Sequence, residues 1–176
     1  MQHVDALRAT LPESTKDLRL NLSSVLGGEV LSAEQTWSVA LTAAYFLRSV
    51  ALRDAVLADA REKIGEGGVA DAQAAAAIMA MNTVLYRSRH MIGKESYHHR
   101  RVGLRMNRMA APATSKAQFE LCSLACAALA GCEACLKSHE ESVLKAGLSE
   151  EHVHEALRIA AVLNGVATAA DLRETA

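Results

Sequence analysis

The sequence predicts an all-α fold, and three observations carry that prediction. Aromatic residues make up 3% of the chain, alanine is abundant and only two prolines occur. Alanine loses no side-chain entropy in a helix, and proline is the residue that helices tolerate least. Apolar residues recur at three- and four-residue intervals in several segments, most of them bounded by a cap residue or a glycine. No segment alternates apolar and polar residues for long enough to argue a strand.

The elements follow in order. Ser32-Ala33-Glu34-Gln35 opens a long helix with capping-box spacing, and Trp37, Ala40, Leu41, Ala44 and Leu47 recur behind it. A second helix spans roughly 50–64 and ends at Gly65, with Gly67 and Gly68 in a loop. The third runs from Ala70 to about His90, and its run Ala74 to Ala77 permits close helix approach. Residues 91–114 read as less regular, with a short helix near 98–108. Ser115-Lys116-Ala117-Gln118 is another capping box, before an apolar helix that reaches Ala130. Gly131 punctuates, and the next helix runs from the Cys132/Cys135 pair to about Ala146. Gly147 stops it, Ser149 caps the last helix, and Ile159, Val162, Leu163 and Val166 form the last apolar stripe.

Two faint echoes cross the chain. Trp37 to Ala43 resembles Cys122 to Ala128, and Met81-Asn82 resembles Leu163-Asn164, at offsets of 85 and 82 residues. They suggest one domain over 1–176 built from two related helical halves, roughly 30–90 and 115–173.

Composition narrows the function classes. A chain of 176 residues suits one ordinary domain, and with 51% hydrophobic residues it buries a real core. A formal net charge of −1 argues against nucleic-acid or general membrane partners. No basic-then-apolar leader opens the sequence, and no apolar run approaches the ~20 residues needed to span a bilayer. The expectation is a cytoplasmic protein. Four cysteines are too few for a disulfide scaffold, and in a reducing compartment a close pair is more often catalytic or metal-binding.

That pair is Cys132 and Cys135. A Cys-x-x-Cys pair alone is compatible with redox chemistry, metal binding or packing. Behind Gly131, Cys132 belongs at a helix start, where the dipole and free N–H groups stabilise a thiolate. Cys135 shares its helix face, and His139 lies four residues further on, where a neutral imidazole can take the Cys135 proton. Glu120 lies eleven residues before Gly131 and His139 eight after it. An antiparallel helix pair reversing at Gly131 therefore brings them to similar heights. Glu120 sits among Phe119, Leu121 and Leu124, where a carboxylate needs a partner. The expected relay is Glu120 to His139 to Cys135, with Cys132 as the resolving thiol.

Other candidates read more plainly. A structural zinc site wants four ligands, and only His139 follows the cysteines at usable spacing, so no metal is expected. Cys122 and Cys126, four apart in an apolar helix, read as small core residues. His98, His99, His152 and His154 read as surface residues. The basic stretch 87–108 reads as a solvated loop or as arginines paired with carboxylates, ahead of a docking surface for an acidic partner.

At this point the chain resembles a known family, the alkyl hydroperoxide reductase D (AhpD) family of the AhpD/carboxymuconolactone-decarboxylase superfamily. The resemblance rests on Leu20 to Ser24, Met81 to Arg87, Gly103 to Asn107, Phe119 to Leu121 and Gly131 to Glu140, in that order. It implies an AhpD-like helical fold, a homotrimer, and a thiol-dependent peroxidase that reduces organic hydroperoxides. It implies no tightly bound cofactor, with dihydrolipoamide as the external reductant of a redox-active Cys132–Cys135 disulfide. The implied partners are an AhpC-type peroxiredoxin and a lipoyl-bearing 2-oxoacid dehydrogenase component with dihydrolipoamide dehydrogenase. Glu120, Cys132, Cys135 and His139 match the family's functional positions. Two positions depart. Ala134 stands where members carry a histidine before the second cysteine, and Cys122 where they carry an aromatic residue. The competing readings are a carboxymuconolactone-decarboxylase-like enzyme and a non-catalytic redox-responsive interaction protein.

Overall fold

In the computed structural model, which describes residues 1–172, the chain runs α1 (Gln2–Ala9), a 3₁₀ turn (Glu13–Thr15), α2 (Lys16–Leu26), α3 (Ala33–Leu47), α4 (Val50–Ile92), α5 (Glu95–His98), α6 (Asn107–Ala110), α7 (Lys116–Leu129), α8 (Glu133–Lys145) and α9 (Glu150–Asp171). No strand occurs among the described residues, so the all-α expectation holds. The proposed end of the second half at residue 173 lies outside them.

Helix α3 is central because it is buried on every face. Thr36 to Ala44 are all buried, and Ser38, Ala40, Thr42, Ala43 and Ala44 are small enough for neighbours to approach closely. It packs against α4, α7 and α9, while α1 lies on α4 and α2 on α9. Its start is the expected capping box. The Ser32 hydroxyl accepts the Gln35 N–H at 3.2 Å, and the Gln35 side-chain oxygen accepts the Ser32 N–H at 2.8 Å. At α7 only half of the expected box forms. Ser115 accepts the Gln118 N–H, but the Gln118 amide turns inward towards the Cys122 sulfur.

The expected helix break at Gly65 is present: α4 consists of two helical segments that meet there at a kink, where a φ of 62° and ψ of −179° are non-helical. Two expectations need correction. Gly67 and Gly68 are helical, not a loop. A Cβ at Gly68 would lie 2.7 Å from the Ile64 Cβ, so this glycine serves close approach across the bend. The helix expected near 98–108 is instead two short turns, α5 and α6, separated by an irregular stretch in which Gly103 takes a φ of 66°. Within the first thirty residues the chain forms α1 and α2. Asp59 holds α1 in place by accepting the His3 and Val4 N–H groups and pairing with the His3 ring.

The turns α3–α4 and α7–α8 are built alike. The capping serines Ser32 and Ser115, the left-handed residues Arg48 and Gly131, and the N-cap residues Ser49 and Cys132 are each 83 residues apart. That register falls between the offsets of the sequence echoes.

Candidate active site

The site forms where α7 reverses into α8. The Cys132 N–H donates to the Ala127 carbonyl and the Gly131 N–H to the Ala128 carbonyl, the two bonds of a Schellman turn. That turn needs a left-handed residue, and Gly131 supplies it with a φ of 61°. The next residue, Cys132, is therefore the N-cap of α8, as expected, and its sulfur accepts the Cys135 N–H at 3.3 Å. The Arg87 guanidinium on α4 donates to the Ala130 carbonyl at 2.5 Å, and His90 pairs with Glu133 at 3.3 Å. Two side chains of the basic stretch thus fasten the end of α4 to this turn.

Cys132 and Cys135 form a disulfide. Both are buried, 1% and 5% exposed, in a small apolar cluster with Met79, Cys126 and Ala127, and only Cys135 also borders a cavity. Cys135 lines a cavity of about 260 Å³ together with His139, Ser138, Ala134, Asn82 and Tyr86, and with Met106 and Met109 beside α6. One turn of α8 beyond Cys135, His139 Nδ1 meets Glu120 Oε2 at 2.7 Å. Both side chains are nearly buried, at 12% and 8% exposed. A carboxylate accepts only, so the imidazole donates its Nδ1–H and keeps its Nε2 lone pair as a base. The structure thus brings together all four residues singled out in the sequence.

The remaining cysteines stay outside this chemistry. Burial pushes the Cys122 thiol up to about 11 and the Cys126 thiol well above the ordinary value, so neither is a nucleophile at neutral pH. His98, His99 and His154 are exposed, whereas His152 completes the cap of α9 by bonding Ser149. Among the described residues no cluster of three or more His, Cys, Asp or Glu side chains is placed to hold a metal ion, and no helix is long and apolar enough to cross a membrane.

Five cavity residues were not singled out in the sequence: Asn82, Tyr86, Met106, Met109 and Ser138. Asn82 and Tyr86 carried a signal, since polar-tipped side chains four apart on a helix share a face. Met106 lies in the Gly103 to Asn107 stretch that carries the family resemblance, whereas Met109 carried no signal, because α6 is held at the cavity by a distant anchor. That anchor is Asp71, which accepts Arg108 Nε at 2.7 Å, the Ala113 N–H at 3.1 Å, and the Thr114 N–H and hydroxyl, each at 2.7 Å.

Comparison with known proteins identifies the family. A family model, the carboxymuconolactone decarboxylase family, matches residues 95–176. The alkyl hydroperoxide reductase AhpD of Anaeromyxobacter sp. (strain K) is 51% identical over 98% of this chain and 92% of its own length. The chain belongs to the AhpD family. Proteins of the same name from Rhodospirillum centenum and Streptomyces avermitilis are 43% and 42% identical, each over 96% of this chain. Against the AhpD pattern set out above, Ala134 opens on the cavity where a histidine is expected, leaving His139 as the one imidazole among the cavity's described residues.

Proposed function

We propose that this chain is an alkyl hydroperoxide reductase in which Cys135 attacks the peroxide and Cys132 resolves the product. The observation that carries the proposal is that Cys135 and His139 line one cavity while Glu120 holds His139 from behind at 2.7 Å. In the reduced protein the His139 imidazole takes the Cys135 proton, and the Glu120 carboxylate stabilises the imidazolium. The thiolate attacks the distal oxygen of the hydroperoxide and the O–O bond breaks. The alkoxide leaves with the proton returned by His139, and the distal O–H remains on sulfur as a sulfenic acid. The Cys132 thiol displaces water from it and closes the disulfide.

Reduction runs through the same opening. An external dithiol, dihydrolipoamide on a lipoyl-bearing 2-oxoacid dehydrogenase component recharged by dihydrolipoamide dehydrogenase, attacks Cys135, the sulfur that lines the cavity. Cys132 then leaves as a thiolate, favoured at the N-terminus of α8 by the Cys135 N–H. Such a dithiol cycle belongs in the reducing cytoplasm. Electrons pass on to peroxides directly or to an AhpC-type peroxiredoxin, and no tightly bound cofactor takes part. The working form is a homotrimer, a reading that comes from the family resemblance.

The test is hydroperoxide consumption driven by dihydrolipoamide and its dehydrogenase. Cys135→Ser and His139→Gln each abolish turnover, and Cys132→Ser, mixed with peroxide in the absence of any external thiol, reacts once per chain and stops at the sulfenic acid. Full activity in Cys135→Ser or His139→Gln would sink the relay. Activity that survives loss of both cysteines would point instead to decarboxylase-like carbon chemistry.

A further inference from the structure

Beside Cys135 and His139, the cavity is lined by three polar side chains that this chemistry leaves unused, Asn82, Tyr86 and Ser138, and of these Asn82 carries a buried polar atom without a partner among the described residues. Asn82, on α4, is 4% exposed and lines the cavity. Its Nδ2 donates to the Met106 sulfur at 3.1 Å, and its Oδ1 has no hydrogen-bond partner among the described residues. A thioether is a weak acceptor. Exchanging the two ends of the amide would leave the NH₂ group unpartnered and set the oxygen against sulfur, so the amide is poorly satisfied either way. Buried carboxamides rarely go without partners, and one that does calls for an explanation.

We propose that Asn82 is the residue that binds and orients the hydroperoxide group. The inference rests on the peroxidase reading above. A hydroperoxide carries an O–H donor beside oxygen acceptors, and a carboxamide offers the complementary pair, a carbonyl acceptor beside an N–H donor. The Asn82 oxygen accepts the hydroperoxide O–H, and its N–H₂ group exchanges the Met106 sulfur for a peroxide oxygen. Met106 follows the irregular stretch between α5 and α6, so its flexible side chain can yield to the incoming group. The distal oxygen is then turned towards the Cys135 sulfur, and the alkyl group lies against Tyr86, Met109 and Ala134. The bonds made and broken are those of the thiolate attack already described, and Asn82 exchanges no proton. A free protein that holds this amide half-satisfied gains its hydrogen bonds only when the peroxide arrives, which places binding energy where it orients the reaction.

Asn82→Leu, nearly isosteric and without hydrogen-bonding atoms, tests the assignment. Three quantities are measured on the reduced protein: the rate constant with tert-butyl hydroperoxide, the rate of Cys135 alkylation by iodoacetamide, and the thermal midpoint. The expected result is a peroxide rate lowered about tenfold to a hundredfold, the range that losing one or two hydrogen bonds to a ligand produces. Alkylation, which needs the thiolate but no oriented peroxide, stays within about twofold, and the midpoint is equal or higher because a poorly satisfied buried amide is gone. Asn82→Ser, smaller and still polar, covers the case in which leucine does not fold, and it is expected to lower the peroxide rate with alkylation retained. Equal losses in both reactions, or a peroxide rate that does not change, overturn the proposal. If the wild-type protein alkylates but consumes no hydroperoxide, the peroxidase reading itself has failed, and this proposal with it.

Discussion

Replacing Glu120 with glutamine isolates the charge behind His139. The substitution keeps the shape and an oxygen that can still accept the Nδ1–H, so the packing around α7 changes little. What is lost is the charge assistance of a 2.7 Å bond between side chains 8% and 12% exposed, where water screens weakly. A hydrogen bond to a charged group contributes about 1.5–3 kcal/mol, against about 1 kcal/mol for a neutral one. The difference, roughly 1–2 kcal/mol, acts on the imidazolium–thiolate state and not on the neutral pair. At about 1.4 kcal/mol per factor of ten, Glu120→Gln lowers the rate with tert-butyl hydroperoxide about fivefold to thirtyfold at neutral pH. Iodoacetamide alkylation of Cys135 falls by a similar factor, because both reactions begin from the same thiolate. This distinguishes Glu120 from Asn82, whose replacement separates the two rates. The assay is stopped-flow mixing of reduced protein with each reagent, with urea midpoints confirming that the fold is retained. Rates within twofold of wild type for both reagents in a folded variant would refute the relay.

Two further outcomes are expected. The Asp71 carboxyl is held below its ordinary value of 3.8: burial raises it, but the Ala113 and Thr114 N–H groups, the Thr114 hydroxyl and Arg108 together outweigh burial. A lowered carboxyl contributes stability that is present above the unfolded value and lost as pH falls through the folded one, so this loss develops below about pH 4. Asp71→Asn is expected to cost about 2–3 kcal/mol at pH 7 and to flatten that acid loss, read from urea midpoints between pH 7 and pH 3; parallel acid loss in variant and wild type counts against the assignment. Light scattering of the purified protein is expected to give the mass of three chains, whereas a monomeric wild type rules out the trimer.

Legibility in the sequence followed the range of the interaction. The capping box at Ser32, the break at Gly131 and the i, i+4 spacing of Cys135 and His139 are local, fixed by backbone hydrogen bonds and helix geometry within a few residues. The Glu120–His139 contact spans 19 residues, yet it was readable because one glycine turn sets the relative height of two antiparallel helices. Gly68 misled, because glycine marks a loop by its flexibility and a tight packing point by its lack of a side chain, and only the position of Ile64 distinguishes the two. What the sequence does not show is where α1 docks: Asp59 binds His3 across 56 residues.

By itself, then, the sequence determined the helical class, the turn that makes Cys132 an N-cap, and the order Glu120, Cys132, Cys135, His139. Each follows from chain neighbours or from one reversal of direction. The tertiary structure alone decided that Cys135 and not Cys132 lines a cavity, that Met106 and Met109 close it through the Asp71 anchor, and that the Asn82 amide stands there poorly satisfied. Those features depend on side chains tens of residues apart meeting at one place. Helical periodicity tells which face is buried, but not what it is buried against.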